Sequence, residues 1–481
     1  MSGLFGVISK SKTYCMDSLI YGTDYQAHMG SEYGGLAVLG QNFARFIHRM
    51  SNANFRDKFF ESIKNLEVHS GIGVISDLEE QPIYMKTKLG DFCIVTSGRI
   101  VNTEELAKEM INNGICFSEF SKVHVNMTEL VARIISSGQT IQDGIRILFN
   151  KIKGSCSLLV LTREGIYAAR DFYGRTALVL GQNADSFAVC SETCCFANLG
   201  YRAIRNLNPG EILLISDTGV KVLEAGYKNK KICTFLWIYT GFPSSSYEGL
   251  NSELVRERSG RLLAKQDKGI KADLVAGVPD SGIAHAIGYS MESGIPFRRP
   301  LVKYTPTYGR SYAPPSQHLR DLTARMKLIA IKEVIEGNSI ILLEDSIVRG
   351  TQLKNFTVEK LWNCGAKEIH VRPACPPLMF PCSYCNSTRT NSELITRRAI
   401  REIEGHDIED VEEYLNPKSE KYTRMIEWIR KYLNITTLKY QTLDDMIEAI
   451  GLPKESLCTY CWNGEDCSKC IKIDQNFNNT K

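Results

Sequence analysis

The feature that most constrains this chain is an apolar run that ends in two acids. Residues 339–351 read Ser-Ile-Ile-Leu-Leu-Glu-Asp-Ser-Ile-Val-Arg-Gly-Thr. Such an unbroken Ile/Leu run suits a parallel strand buried on both faces. After Glu344 and Asp345 come the hydroxyl of Ser346, then Arg349, Gly350 and a second hydroxyl at Thr351, and residues 351–354 can turn helical. Open α/β sheets bind ligands at this place, outside the carboxyl end of a strand. Backbone N–H groups and hydroxyls of such a turn cradle a phosphate at the start of the following helix. Two carboxylates would repel that phosphate. They suit ribose hydroxyls or a hydrated cation instead, so the chemistry wanted here is a sugar phosphate. A solvated strand end explains an isolated Glu-Asp pair; it does not explain the whole string.

A second turn of the same kind lies upstream. Residues 272–279 read as a buried strand, Asp280, Ser281 and Gly282 follow, and a helix is expected through 286–293. Two turns in one sheet, each with an acid, a hydroxyl and a glycine, suit a ligand with phosphates at both ends. Between them, residues 303–317 are rich in Pro, Tyr and hydroxyls and show no helical or strand period. Blandly, this is a solvated loop; as chemistry, it is a lid that brings Lys303 and Arg310 over a polyanion. Residues 229–390 as a whole alternate strand and helix in the βαβ manner.

The flanking regions differ. Residues 1–228 read as short β-type runs with turns, among them 35–39, 92–96 and 157–161, with helices expected over 103–112 and 128–136. This is a mixed α+β or sandwich pattern. Residues 391–481 carry charge-rich helices, expected over 397–404, 408–414 and 418–432 as a solvated cover, and end in a cysteine-rich tail. With 481 residues, two domains or more are expected.

Composition narrows the function classes. A hydrophobic content of 43%, 23% charged residues and a net charge of +4 give no argument for nucleic-acid or membrane binding. No apolar run approaches the ~20 residues of a transmembrane helix. The start, Met1 to Gly6, lacks a basic segment and the apolar core of a signal peptide, so a cytoplasmic protein is expected. Sixteen cysteines in a reducing compartment suggest metal or cluster ligation rather than disulfides. Cys458, Cys461, Cys467 and Cys470 could form a local Zn2+ knuckle, although its five-residue central spacer is short. Cys194 and Cys195 suit a core.

The Glu-Asp-Ser-Ile-Val-Arg-Gly-Thr string resembles the phosphoribosyl pyrophosphate (PRPP) loop of type I phosphoribosyltransferases, in the form found in the amidophosphoribosyltransferase family. That family usually has two Asp where this chain has Glu344-Asp345. Val278 to Gly282 is similar to its pyrophosphate loop. Gly309 to Tyr312 and Pro315 to Gln317 fall in register with its catalytic loop, and Arg320, Arg325 and Lys327 continue the match. The resemblance implies an α/β type I phosphoribosyltransferase domain at 229–390 behind an α+β N-terminal-nucleophile, class II glutamine amidotransferase-like domain at 1–228. It implies catalytic roles for Lys303, Arg310 and Tyr312. Substrate contacts fall on Asp280, Ser281, Gly282, Glu344, Asp345, Ser346, Arg349, Gly350 and Thr351. Mg2+ would be held directly or through water by Ser281, Glu344 and Asp345. A homodimer or homotetramer is implied.

The same resemblance exposes departures in the first domain. Gly3 to Val7, Gly154 to Ser157, Ala169 to Asp171 with Gly174-Arg175, and Asn208 to Glu211 fall in register. Where the family exposes a Cys as its first residue, this chain has Ser2. A hydroxyl with an N-terminal amine as base can be a nucleophile. The family's oxyanion Asn-Gly falls on Ser97-Gly98, its carboxylate-clamping Arg-Tyr-x-Thr on residues 73–77, and its acid for the glutamine amine on Met127. A zwitterionic ligand needs both charges answered. Four departures together imply a domain kept for structure and perhaps for guiding ammonia. In one subtype of the family a [4Fe-4S] cluster is held by four cysteines, and those positions fall on Cys233, Cys382, Cys458 and Cys461, leaving Cys385, Cys467 and Cys470 as extras.

The expected function is therefore PRPP-dependent. Ammonia, its supply from a partner protein, or another amine would displace pyrophosphate to give phosphoribosylamine or a related ribosylamine, as in purine-type biosynthesis. Two other readings are a non-catalytic PRPP- or nucleotide-binding regulatory paralogue and a Ser2-dependent hydrolase of another amide.

Overall fold

The computed structural model describes residues 2–465 except 13, 51–53, 78, 120–124, 305–325, 327, 385–387 and 389. In the first half, glycine- and valine-rich alternating segments pair into two antiparallel sheets. The seven-stranded sheet is ordered Arg202–Asn206, Val179–Gln182, Ser186–Cys190, Gly3–Ser9, Ser70–Ser76, Tyr33–Leu39, Phe43–Arg49. The six-stranded sheet is ordered Gly219–Glu224, Ile212–Ser216, Gly165–Ala169, Gly154–Thr162, Gly90–Ile100, Ile83–Thr87. Leu4, Ile8 and Val74 of the first sheet pack on Val95, Leu159 and Leu161 of the second and form the core between them. The opposite faces are apolar too, and each needs its own cover. Helices Met16–Asp24 and Phe55–Ile63 cover one through Leu19, Phe55 and Phe59. Helices Thr103–Asn112, Met127–Ser136 and Ile141–Lys151 cover the other through Leu106, Leu130, Ile134 and Ile145. The α+β and sandwich patterns of the sequence thus describe one four-layered domain.

The second half carries a parallel sheet ordered Leu274–Gly277, Ser339–Glu344, Glu368–Pro373, Thr437–Leu438. Its unbroken apolar runs follow from cover on both faces. Val275, Ile341 and Leu343 pack on helices Ser252–Gln266 and Ile283–Ser293. Their neighbours Leu274, Ala276, Ile340 and Leu342 face the other way, into a core shared with Ile395–Glu404 and Glu420–Leu433. The charged C-terminal helices are therefore a cover with a working inner face: Ala399, Met425, Ile429 and Leu433 are fully buried. Two short strands, Leu301–Lys303 and Leu328–Ala330, pair antiparallel at the base of the expected lid. No helix among the described residues is long and apolar enough to cross a membrane.

Candidate active site

The two turns anticipated from the sequence lie side by side because their strands are neighbours. Leu274–Gly277 pairs in parallel with Ser339–Glu344, so both strands end at the same edge. Val278 N–H donates to the Leu343 carbonyl at 2.9 Å. A Cβ on Gly282 would stand 2.4 Å from that same carbonyl, so only glycine lets the turns meet this closely. The Pro279–Asp280 peptide is cis. Asp345 is the shared acceptor: Ser281 Oγ donates to its Oδ2 at 2.5 Å and Ser346 Oγ to its Oδ1 at 2.6 Å. Burial raises the pKa values of both Glu344 and Asp345, and for Glu344 the adjacent Asp345 carboxylate adds to the rise. Such a pair, with Asp345 buried and Glu344 half-buried, is a ready receiver for a cation or for sugar hydroxyls.

Of the positive groups expected from the sequence, Lys303 and Arg349 lie among the described residues. Lys303 Nζ lies 2.8 Å from Asp280 Oδ2, both exposed. Arg349 is paired with Glu393. Gly350 sits at φ +73°, where glycine is favoured, with Ile395 and Leu433 beneath it. Thr351 is exposed at the start of the helical segment that continues through Leu353–Val358 and Glu359–Asn363. Arg310 and Tyr312, with Arg320, Arg325 and Lys327, lie outside the described residues. The sequence gives no sign of Arg256, which is buried, donates to the carbonyls of Trp237, Tyr239 and Gly241, and feels the charge of Asp345. Nor does it reveal that Glu393 holds Arg349. Both partnerships join segments far apart in the chain.

Around Ser2, the first domain presents hydroxyls and committed acids. Ser2 is buried; its Oγ donates to Ser76 Oγ at 3.3 Å, and Ser97 Oγ donates to the Ser2 carbonyl at 2.6 Å. Residues 73–76 are part of the strand Ser70–Ser76, buried throughout. Asp77 Oδ1 accepts from Ser31 N–H at 2.7 Å. Glu79 is buried against the start of helix Met127–Ser136, accepting from Met127 N–H at 2.6 Å, Thr128 N–H at 2.9 Å and Thr128 Oγ1 at 2.6 Å. Burial raises its pKa despite these donors.

The four cysteines named from the resemblance converge. Ile232–Cys233 pairs in parallel with Leu457–Cys458, placing Cys233 opposite Cys458. Cys382, Cys458 and Cys461 are buried in one apolar cluster, and Cys233 packs against it. The Cys382 thiol and then burial push Cys461 well above the usual thiol range, and Cys233 and Cys458 add to the rise. Tyr384 N–H donates to Cys382 Sγ at 3.4 Å. Among the described residues no group of three or more His, Cys, Asp or Glu is set to hold a single metal ion. Cys385, Cys467 and Cys470 lie outside the described residues.

Residues 68–198 match a family model described as a glutamine amidotransferase domain. An amidophosphoribosyltransferase of Methanocaldococcus jannaschii is 30% identical over 492 aligned positions, covering 97% of both chains. The chain belongs to the amidophosphoribosyltransferase family. A Bacillus subtilis amidophosphoribosyltransferase is 33% identical over 81% of this chain and 74% of its own length. Among solved structures, the Bacillus subtilis glutamine PRPP amidotransferase complexed with ADP and GMP superposes with a TM-score of 0.80 at 29% identity, covering 96% of each chain. The amidophosphoribosyltransferase architecture, an N-terminal-nucleophile domain followed by a type I phosphoribosyltransferase domain, accounts for the two antiparallel sheets of the first half and the parallel sheet of the second.

Proposed function

We propose that this chain transfers an amine to C1 of PRPP with release of pyrophosphate, and that the amine does not come from glutamine bound at Ser2. The observation that carries the first part is the sharing of Asp345 between Ser281 of one turn and Ser346 of the other. It ties two anion-accepting turns into one site. In this reading, N–H groups of residues 346–351 take the 5-phosphate and those of residues 280–282 take the pyrophosphate. Glu344 and Asp345 hold the ribose hydroxyls. Lys303, Arg310 and Tyr312 attend the leaving group from the lid. Ser281, Glu344 and Asp345 would also hold Mg2+, directly or through water, which supplies positive charge to the departing pyrophosphate. The C1–O bond to pyrophosphate breaks, a neutral amine forms the C1–N bond, and the amine then gives up a proton. The chain's own groups supply position and charge rather than a nucleophile, and a closed lid keeps water from the electrophilic carbon.

The second part rests on the surroundings of Ser2. Asp77 and Glu79, which follow the strand that carries Ser76, already accept from Ser31 and from Met127 and Thr128. They are thus committed within the domain, and Glu79 fills the mouth of the helix. Cys233, Cys382, Cys458 and Cys461 would hold a [4Fe-4S] cluster; it would tie the C-terminal segment to the start of the second domain. Three of these cysteines are buried together and Cys233 packs against them, an arrangement that fits such a group. Zn2+ is the competing occupant.

The test is pyrophosphate release from PRPP with Mg2+ present, with ammonium or glutamine as the amine source. Release with ammonium alone is expected. Ser2→Ala leaves that rate unchanged. Equal release with glutamine overturns the reading of the first domain. PRPP binding without pyrophosphate release under any amine overturns the transferase reading and favours a regulatory binder.

A further inference from the structure

The first domain reaches the four-cysteine site with two arginines. Arg99 lies at the end of strand Gly90–Ile100, two residues past Ser97, and its Nη1 donates to the Cys382 carbonyl at 2.6 Å. Arg175 is fully buried. Its guanidinium stacks 3.5 Å from the ring centroid of Tyr384, two residues past Cys382, and 4.1 Å from that of Tyr173. Its carbonyl accepts from Cys233 N–H at 3.4 Å. One residue therefore borders two of the four cysteines, Cys233 by its backbone and Cys382 through the Tyr384 ring. Lys231 N–H donates to the Tyr173 carbonyl at 2.8 Å, which fixes the approach to Cys233 from the same side.

We propose that the first domain serves as the cap of the four-cysteine site, with Arg99 and Arg175 as positioning residues that shield and tune the group bound there. The inference rests on the cluster reading given above. The physical case has three parts. A cluster ligated by four thiolates carries negative charge, which the buried Arg175 guanidinium stacked on Tyr384 would meet with positive charge. Hydrogen bonding, net charge and solvent exposure around the sulfurs set the stability and potential of such a cluster. Arg99 and Arg175 bring positive charge to this site from the first domain. A domain whose amide chemistry has departed from its family then keeps a physical task at this junction.

The experiment uses the full chain purified without oxygen. Iron and acid-labile sulfide are measured first, then the rate at which visible absorbance bleaches in air, then the midpoint potential. Wild type is expected to hold iron and sulfide. Arg99→Gln and Arg175→Gln are expected to bleach faster, on the order of tenfold, the scale at which outer partners of metal ligands act. Loss of the Arg175 charge also moves the midpoint potential to lower values, because the reduced, more negative cluster loses its countercharge, and Arg175→Lys restores it. Ammonium-dependent pyrophosphate release before air exposure stays at the wild-type rate and reports that the variants are folded. Bleaching and potential that match wild type in both Gln variants overturn the capping inference and leave the cluster reading intact. Wild-type protein without iron and sulfide, or with stoichiometric zinc in their place, overturns the cluster reading and this inference with it. If Arg175→Gln yields no soluble protein, Arg99→Gln decides alone, since its side chain lies at the rim.

Discussion

Glu344 shows what the site asks of a single side chain. Its backbone belongs to a buried strand end, and its carboxyl shares space with Asp345. Burial and then the Asp345 charge hold its pKa well above the ordinary carboxylate value. In the unfolded chain it ionises at that ordinary value. Below both values the acid is neutral in either state and contributes nothing. As pH rises past the unfolded value, ionisation favours the unfolded chain, and fold stability is drawn down until the folded pKa is reached. Glu344→Gln removes this penalty. The variant is expected to melt higher than wild type at pH 8 and by a smaller margin at pH 4, read by calorimetry without ligand. It is also expected to lose about 10²-fold in the rate of pyrophosphate release, the usual scale for one electrostatic partner of a transition state. Stability gained where activity is lost marks a residue placed for function. An equal melting margin at both pH values removes the argument.

At the scale of elements, the strand Ser339–Glu344 was the part most legible in the chain. Its Ile-Ile-Leu-Leu run encodes cover on both faces, and the following acids, hydroxyls and glycine encode a strand-end site. Helices expected at 103–112 and 128–136 occur as Thr103–Asn112 and Met127–Ser136, the second started by Asn126, whose side chain accepts from Thr128 and Glu129 N–H. The helix expected at 408–414 is instead a single turn, Glu412–Leu415. What the sequence does not carry is who answers each group. Arg349 invites a phosphate on paper, yet Glu393 reaches it from 44 residues away. Nor does the cysteine spacing show that Cys233 pairs in parallel with Cys458 from a distant segment. The inner face of Glu420–Leu433 was hidden by its charge. Ile429→Ala is expected to cost about 2–5 kcal/mol, as for other large-to-small changes in a core, read as a lowered urea midpoint. A surface helix would lose almost nothing. Gly350→Ala tests the loop that rests on this layer. Its φ of +73° and the Ile395 Cδ1 atom 2.5 Å from an added Cβ both oppose the change. The cost is on the order of 1–3 kcal/mol, and KM for PRPP is expected to rise more than kcat falls.

At the scale of the molecule, the two halves are joined by buried charge rather than by apolar contact alone. Arg170, fully buried in the first domain, pairs with Glu248 at 2.7 Å. Glu192, also fully buried, accepts from Ser245 Oγ at 2.9 Å, from Phe242 N–H at 3.1 Å and from the Tyr247 hydroxyl, and lies 2.8 Å from His28 Nε2. Three of these partners belong to residues 242–247, at the start of the second half. Burial by itself would raise the Glu192 pKa, but His28 and the donors from Tyr247 and Phe242 hold it below the ordinary value. A depressed carboxylate contributes stability above its unfolded pKa, and that contribution is lost as pH falls through the folded one. Glu192→Gln keeps the shape and removes the charge. At pH 7 it is expected to melt below wild type, since the buried donors lose a charged acceptor worth about 1.5–3 kcal/mol per bond. The gap is expected to narrow as pH drops below 4.5, the ordinary value, where the unfolded chain takes up the proton, and to close once pH falls through the lower folded value. Calorimetry of both proteins across that range is the measurement. A gap that stays constant with pH would mean that shape, and not charge, fastens the halves, and would remove the electrostatic account of the junction.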